Sequence, residues 1–148
     1  MKKMRKRVHM KKKNTGVLID GENIAAKKAP KIMQIVNDYG VLDVGKVYGI
    51  QKDERTKNWM AKSKSFGIED IRLYGGPQKN KVDKKIKRDA RRLINQHKNV
   101  DIICLATNDG GYTDIIAELR EAGKKVIVIG EKQASVKLRK SCNTFIEI

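Results

Sequence analysis

Aromatic side chains are scarce in this sequence, at 5% of residues. No stacking motif of the RRM kind is present, so sequence-specific reading of bases is not supported. Cysteine and histidine are scarcer still: Cys104, Cys142, His9 and His97 are the full set. No pair among them has metal-ligand spacing, which argues against a zinc site. Cys104 lies in an apolar stretch and reads as a buried thiol. His97, on the apolar side of a helix end, reads as structural. No apolar run approaches the roughly 20 residues that cross a bilayer. The basic amino terminus lacks the apolar segment of a secretory signal. The expectation is one cytoplasmic domain with reduced thiols and no membrane partner.

What abounds is positive charge. Lys and Arg number 34 against 17 Asp and Glu, a net charge of +17. Eight of the bases lie in residues 1–13, MKKMRKRVHMKKK, with no acid among them. This arm has little to bury and reads as disordered; its His9-Met10 pair is also the pattern of an added leader before a start at Met10. The remaining body, residues 14–148, is still basic, with 26 bases against 17 acids. Such a balance favours polyanions and speeds their association.

From Thr15 onward the pattern alternates strand and helix. GVLID at 16–20 and VDIICLA at 100–106 are short continuous apolar runs, as expected of central parallel strands covered on both faces. Further strands are predicted at Val41–Ile50, Ile68–Tyr74, Val126–Ile129 and Thr144–Ile148. Between them, helices are predicted at Ile24–Tyr39, Thr56–Ser65, Val82–His97, Tyr112–Ala122 and Ser135–Lys140, with Pro30 near the first turn of the first. The helix at 82–97 is the clearest, with Val82, Ile86, Ala90, Leu93 and Ile94 on one face and Lys84, Lys85, Arg88, Arg91 and Arg92 on the other. This order means βαβ units and a mostly parallel sheet of five to six strands, an α/β fold.

In such a sheet ligands sit beyond the carboxyl ends of the strands, where the strand order reverses. Asp20 ends the first apolar strand and Asp109 follows the second by three residues. Were the two strands neighbours, about 4.8 Å apart, their carboxylates could share one cation. Asp83 opens the helix leading into the second strand and faces the same edge. Mg²⁺ or Mn²⁺ would suit such a cluster, since carboxylate oxygens are their preferred protein ligands. Asn23, one helical step past Asp20, offers an amide. The backbone N–H groups at 110–112, including Gly110 and Gly111, could cradle a phosphate. Lys79, Lys81 and Lys87 are the bases best placed to grip a substrate.

IDGEN at 19–23, KVDKKIKRD at 81–89, TNDGGYTDII at 107–116 and GKKVIVIG at 123–130 resemble, in order, the successive motifs of NYN domains, a branch of the PIN-like nucleases. The resemblance covers nearly everything from Gly16 onward. It implies a single-domain PIN-like three-layer α/β/α sandwich with a Mg²⁺- or Mn²⁺-dependent ribonuclease site acting on RNA, expected to be single-stranded. Asp20, Asp83 and Asp109 would be the metal-binding acids, with Asn23 beside Asp20 in the catalytic set. Asp89 and Asp114 are further candidate ligands, and Thr107 and Asn108 candidate substrate contacts. Where the family usually has a second acid in its Ser-x-Asp-x-Asp-Phe pattern, this sequence has Gly111, followed by Tyr112 at the aromatic position. The alternative is therefore a catalytically weak or inactive RNA-binding module of the same fold. Two other designs fit less well. A phosphoacceptor receiver needs an aspartate after the third strand, where Tyr74-Gly75-Gly76 stands, and a dinucleotide site needs a G-x-G-x-x-G after the first. Self-association into a homo-oligomer is left open.

Overall fold

The computed structural model describes residues 13–74 and 80–148; the basic arm through residue 12, and Lys79, lie outside them. Among the described residues there are six strands: β1 (Asn14–Asp20), β2 (Val41–Ile50), β3 (Glu69–Leu73), β4 (Ile102–Ala106), β5 (Lys125–Gly130) and β6 (Thr144–Glu147). Five helices accompany them: α1 (Ala29–Tyr39), α2 (Glu54–Phe66), α3 (Lys81–Asn95), α4 (Thr113–Glu121) and α5 (Val136–Ser141). All strand pairs are parallel, and the sheet order is β3-β2-β1-β4-β5-β6. The chain steps outward from β1 to β3, then crosses back through α3 to place β4 on the other side of β1. The reversal thus falls between the two strands that the sequence marks as most apolar. All of β4 is buried, and so is β1 from Thr15 on.

Strand alternation divides the core into two layers. Val17, Ile19, Cys104, Ala106, Ile127 and Ile129 face one side of the sheet, where they pack with Ile32, Val36 and Trp59 of α1 and α2. Leu18, Ile103, Leu105, Val126 and Val128 face the other, against Val82, Ile86 and Leu93 of α3, Ile115 and Leu119 of α4, and Leu138 of α5. The architecture is a three-layer α/β/α sandwich. Cys104 is fully buried, and burial pushes its thiol pKa up to about 12.

The first helix starts later than its apolar spacing suggests. Regular α-helix begins at Ala29, after a single 3₁₀ turn at Ala26–Lys28. The N–H groups of Asn23 and Ile24 both donate to the Asp20 carbonyl, which closes a turn there instead. Pro30, which has no N–H to donate, then fits the first turn of α1.

On α3, Asp89 was a candidate metal ligand by sequence, but it turns away from the end of β1. Six residues past Asp83 it points about 240° around the helix. There it is 3% exposed and accepts a 2.7 Å hydrogen bond from the Tyr48 hydroxyl of β2. Lys85, Lys46 and Arg92 stand 3.2, 3.7 and 3.8 Å from its oxygens. Its work is to clamp α3 onto the sheet. Asp89→Ala leaves Lys46 and Tyr48 without their buried partner, and urea unfolding should show a loss of about 3 kcal/mol.

Candidate active site

The parity that points Leu18 into the α3–α4 layer points Asp20 the same way, at the very end of β1. Gly21 then lets the chain pass under β2. Its N–H donates to the Tyr48 carbonyl at 2.9 Å, and a Cβ at this position would stand 2.5 Å from that oxygen. Asp20 is 0% exposed. Its Oδ2 accepts from Asn23 Nδ2 at 2.5 Å and from Thr107 Oγ1 at 3.1 Å. Its Oδ1 is buried with no hydrogen-bond partner. Burial holds this carboxyl above its ordinary pKa; the donors Asn23 and Thr107 pull the other way, and the neighbouring charge of Asp83 adds to the rise.

A phenol joins the next acid to the first. The Tyr112 hydroxyl donates to Asp83 Oδ1 at 2.9 Å and lies 3.5 Å from Asp20 Oδ2. Tyr112 is itself fully buried, and burial, then the charges of Asp20 and Asp83, push its pKa far up, so the phenol keeps its proton. The Asp83 carboxyl is held above its ordinary pKa first by burial and also by the neighbouring charge of Asp109. Asp109 is fixed from two sides: its N–H donates to Thr107 Oγ1 at 3.2 Å, and its Oδ1 accepts the Gly111 N–H at 2.9 Å. Thr107 therefore ties Asp20 to the backbone that carries Asp109.

The remaining sequence candidates are placed less simply. Asn108 exchanges two hydrogen bonds with Glu131, one to its carboxylate at 2.9 Å and one from its N–H at 2.7 Å. It braces two loops and has little amide left for a ligand. At Gly110 a Cβ would meet Ser135 Oγ at 2.7 Å, so this glycine serves close packing against the start of α5. The Gly111 N–H, expected to face a phosphate, is taken by Asp109. Asp114 is drawn off by Lys87, 3.1 Å away, and is not brought to Asp20. Lys87 also sits 5.9 Å above the Tyr112 ring, and Lys81 Nζ donates to the Tyr74 carbonyl at 2.5 Å.

Two features escaped the sequence. Glu22, partly buried in the turn after Asp20, has its carboxyl raised by burial and by the charges of Asp20, Asp53 and Asp83. Its letter was in plain view within IDGEN, but only the turn geometry brings it to the acids. The other is the Tyr112 hydroxyl. The sequence marks Tyr112 only as the residue at the aromatic position after Gly111, while the one oxygen that separates it from phenylalanine stands between two carboxylates.

Among the described residues no three acidic, His or Cys side chains enclose a point tightly enough to ligate a metal as they stand. The donor chemistry nevertheless fits Mg²⁺ or Mn²⁺: hard carboxylate oxygens crowd together, and one is buried without a partner. The raised Asp20 pKa has a consequence for stability. The folded state holds this proton more tightly than the unfolded chain, so stability falls as pH rises from about 4 through the folded pKa. At neutral pH in chelator, Asp20→Asn should raise Tm, by about 3 °C for each kcal/mol recovered, with the gain shrinking toward pH 4. Tyr112→Phe strips the donor from Asp83 and should lower Tm under the same conditions.

Comparison with known proteins agrees with this architecture. A family model of the NYN domain matches residues 14–148. An uncharacterized protein of Methanocaldococcus jannaschii is 32% identical over 121 residues, covering 77% of this chain and 46% of its own length, so the chain spans about half of that relative. A solved structure of a protein of unknown function from Vibrio parahaemolyticus is similar with a TM-score of 0.74, at 19% identity over 93% of each chain. An oxidoreductase from Sinorhizobium meliloti shares the fold more loosely, with a TM-score of 0.51 at 18% identity over 92% of this chain and 36% of its own. At such identities structural likeness speaks for the fold alone. The match over residues 14–148, running through the acidic edge built by β1, α3 and the loop after β4, decides the family: this chain belongs to the NYN domains, which are in general nucleases.

Proposed function

We propose that the protein is a divalent-metal-dependent endoribonuclease that hydrolyses RNA phosphodiesters at Asp20, Asp83 and Asp109, in the cytoplasm. The observation that carries this reading is the buried Asp20 carboxylate, with one oxygen unpartnered, hydroxyl-linked to Asp83 at the point where the strand order reverses. Family membership supports the nuclease class and an RNA substrate.

In this reading Asp20, Asp83 and Asp109 hold Mg²⁺ or Mn²⁺. Such an ion supplies, when bound, activation of water and neutralisation of charge on the phosphodiester. The chain's own residues set the geometry. Asn23 and Thr107 grip Oδ2 of Asp20 and leave Oδ1 as the oxygen in want of a partner. Tyr112 stands between Asp20 and Asp83 and donates a hydrogen bond to the second, which eases their repulsion when no cation is there to do so. Glu22 adds a fourth carboxylate at the rim, suited to a bound water.

Gly111 does not by itself speak for an inactive binding module. A Cβ there would meet Asp109 Oδ1 at 3.3 Å and little else, and its backbone is not left-handed. An acidic side chain is therefore accommodated. Gly111→Asp should lower the Mn²⁺ concentration that gives half-maximal rate, read from cleavage rates along a metal titration.

The central test is cleavage of labelled single-stranded RNA in Mn²⁺ or Mg²⁺. Cleavage should stop on chelation and fall by about 100-fold or more in Asp20→Asn and Asp109→Asn. RNA that stays bound and intact with either metal would overturn the enzyme reading in favour of a binding module.

A further inference from the structure

The solvent face of α3 is more than a solvated helix surface. Two shallow depressions run along it and share Lys84 and Arg88. One is bounded by Tyr74 and Lys81, beside the carboxyl end of β3; the other continues past Arg91 to Asn95. No acidic residue lines either. The acids that reach this face take its flanking bases: Asp89 takes Lys85 and Arg92, Asp114 takes Lys87, and Glu118 grips Arg91 through two bonds. Lys84 and Arg88 have no ion pair among the described residues, and the segments outside these contain no acidic residue in their sequence. From Lys84 to Asn95 the face is about 16 Å long.

Two details give this stripe direction and a preference. Lys87 bonds Asp114 and overhangs the Tyr112 ring, whose hydroxyl donates to Asp83, so the basic face starts where the acidic cluster ends. Tyr74, at the same edge of the sheet, is 81% exposed. In a chain with seven aromatic residues, the other six of them at least half-buried, a bare ring beside four bases is what a stacked base seeks. A duplex has no unpaired base to offer it.

We propose that this face seats a single strand of RNA running to the acidic cluster, with Lys84 and Arg88 on its phosphates and Tyr74 stacked on an unpaired base. The inference rests on the nuclease reading for the identity of the polyanion, but its test does not require cleavage.

Binding of a short labelled single-stranded RNA, and of the same sequence as a blunt duplex, is measured by anisotropy in chelator across a salt series. The full chain is used, so the basic arm contributes equally to every variant. Lys84→Ala with Arg88→Ala should weaken single-strand binding and flatten the slope of log affinity against log salt by about 1.4. Tyr74→Ala should cost about 5-fold or more for the single strand and leave the duplex unchanged, while Tyr74→Phe keeps the stack. Lys57→Ala with Lys64→Ala, on exposed positions of α2 across the sheet, should change neither. Absence of RNA binding by the parent chain, an unaltered slope in the α3 double variant, or equal losses for strand and duplex in Tyr74→Ala would each overturn the proposal. RNA that is cleaved normally while the α3 variants bind like the parent removes this path and keeps the nuclease. Loss of binding in those variants by a parent that never cleaves removes the nuclease and keeps the path.

Discussion

A carboxylate at the end of a central strand is in the wrong solvent. Asp20 is as inaccessible as the isoleucine before it, and half of its oxygens have no donor. Burying an ionised group without full compensation is among the most unfavourable arrangements a fold contains. Much of the surrounding structure can be understood as its management. Asn23 returns through a one-turn detour to donate to it, Thr107 reaches it from β4, and Tyr112 interposes a hydroxyl before the next acid. Each of these donors comes from a different segment, so the site holds its shape only when β1, β4 and the start of α4 are all docked.

The fold was largely legible in the letters. Unbroken burial along β1 and β4, and the helical stripe of Val82, Ile86, Ala90 and Leu93, are direct records of which faces are covered. The crossover through α3 that makes β1 and β4 neighbours follows from taking the most apolar runs as central. Helix onset at the first helix was less legible. Spacing alone favoured Ile24, but the N–H groups of Asn23 and Ile24 both end on the Asp20 carbonyl in a single turn, and regular helix begins only at Ala29.

The site was legible in part, for a physical reason. Asp20 and Thr107 can be placed because strand ends have fixed parity and fixed neighbours. Loop residues cannot be placed in this way. Asn108, Gly110 and Gly111 sit in the right loop, yet their hydrogen-bonding groups are spent on Glu131, Ser135 packing and Asp109. Asp89 and Asp114 show the same limit on helices: an acid near the right edge goes to whichever cation lies closest, here Lys85 and Lys87. Glu22 was missed because a turn, unlike a strand or helix, has no period from which its side-chain direction can be read.

Hydrogen bonds brace the acidic cluster on both sides. The loop after β4 is stapled through Asn108 to Glu131 and through the Asn108 carbonyl to the Ser135 N–H, and Gly110 lies flush against α5. Moving it would drag α5 and the end of β5 along with it. The opposite rim, from Glu22 to Ala25, is a short turn whose Glu22 carbonyl is gripped from outside by the exposed Arg55 of α2. This rim is anchored too, because Ile24 is fully buried and its carbonyl accepts from Trp59 Nε1 of α2 at 2.8 Å, so the mouth of the acidic cluster is held from both faces of the sheet.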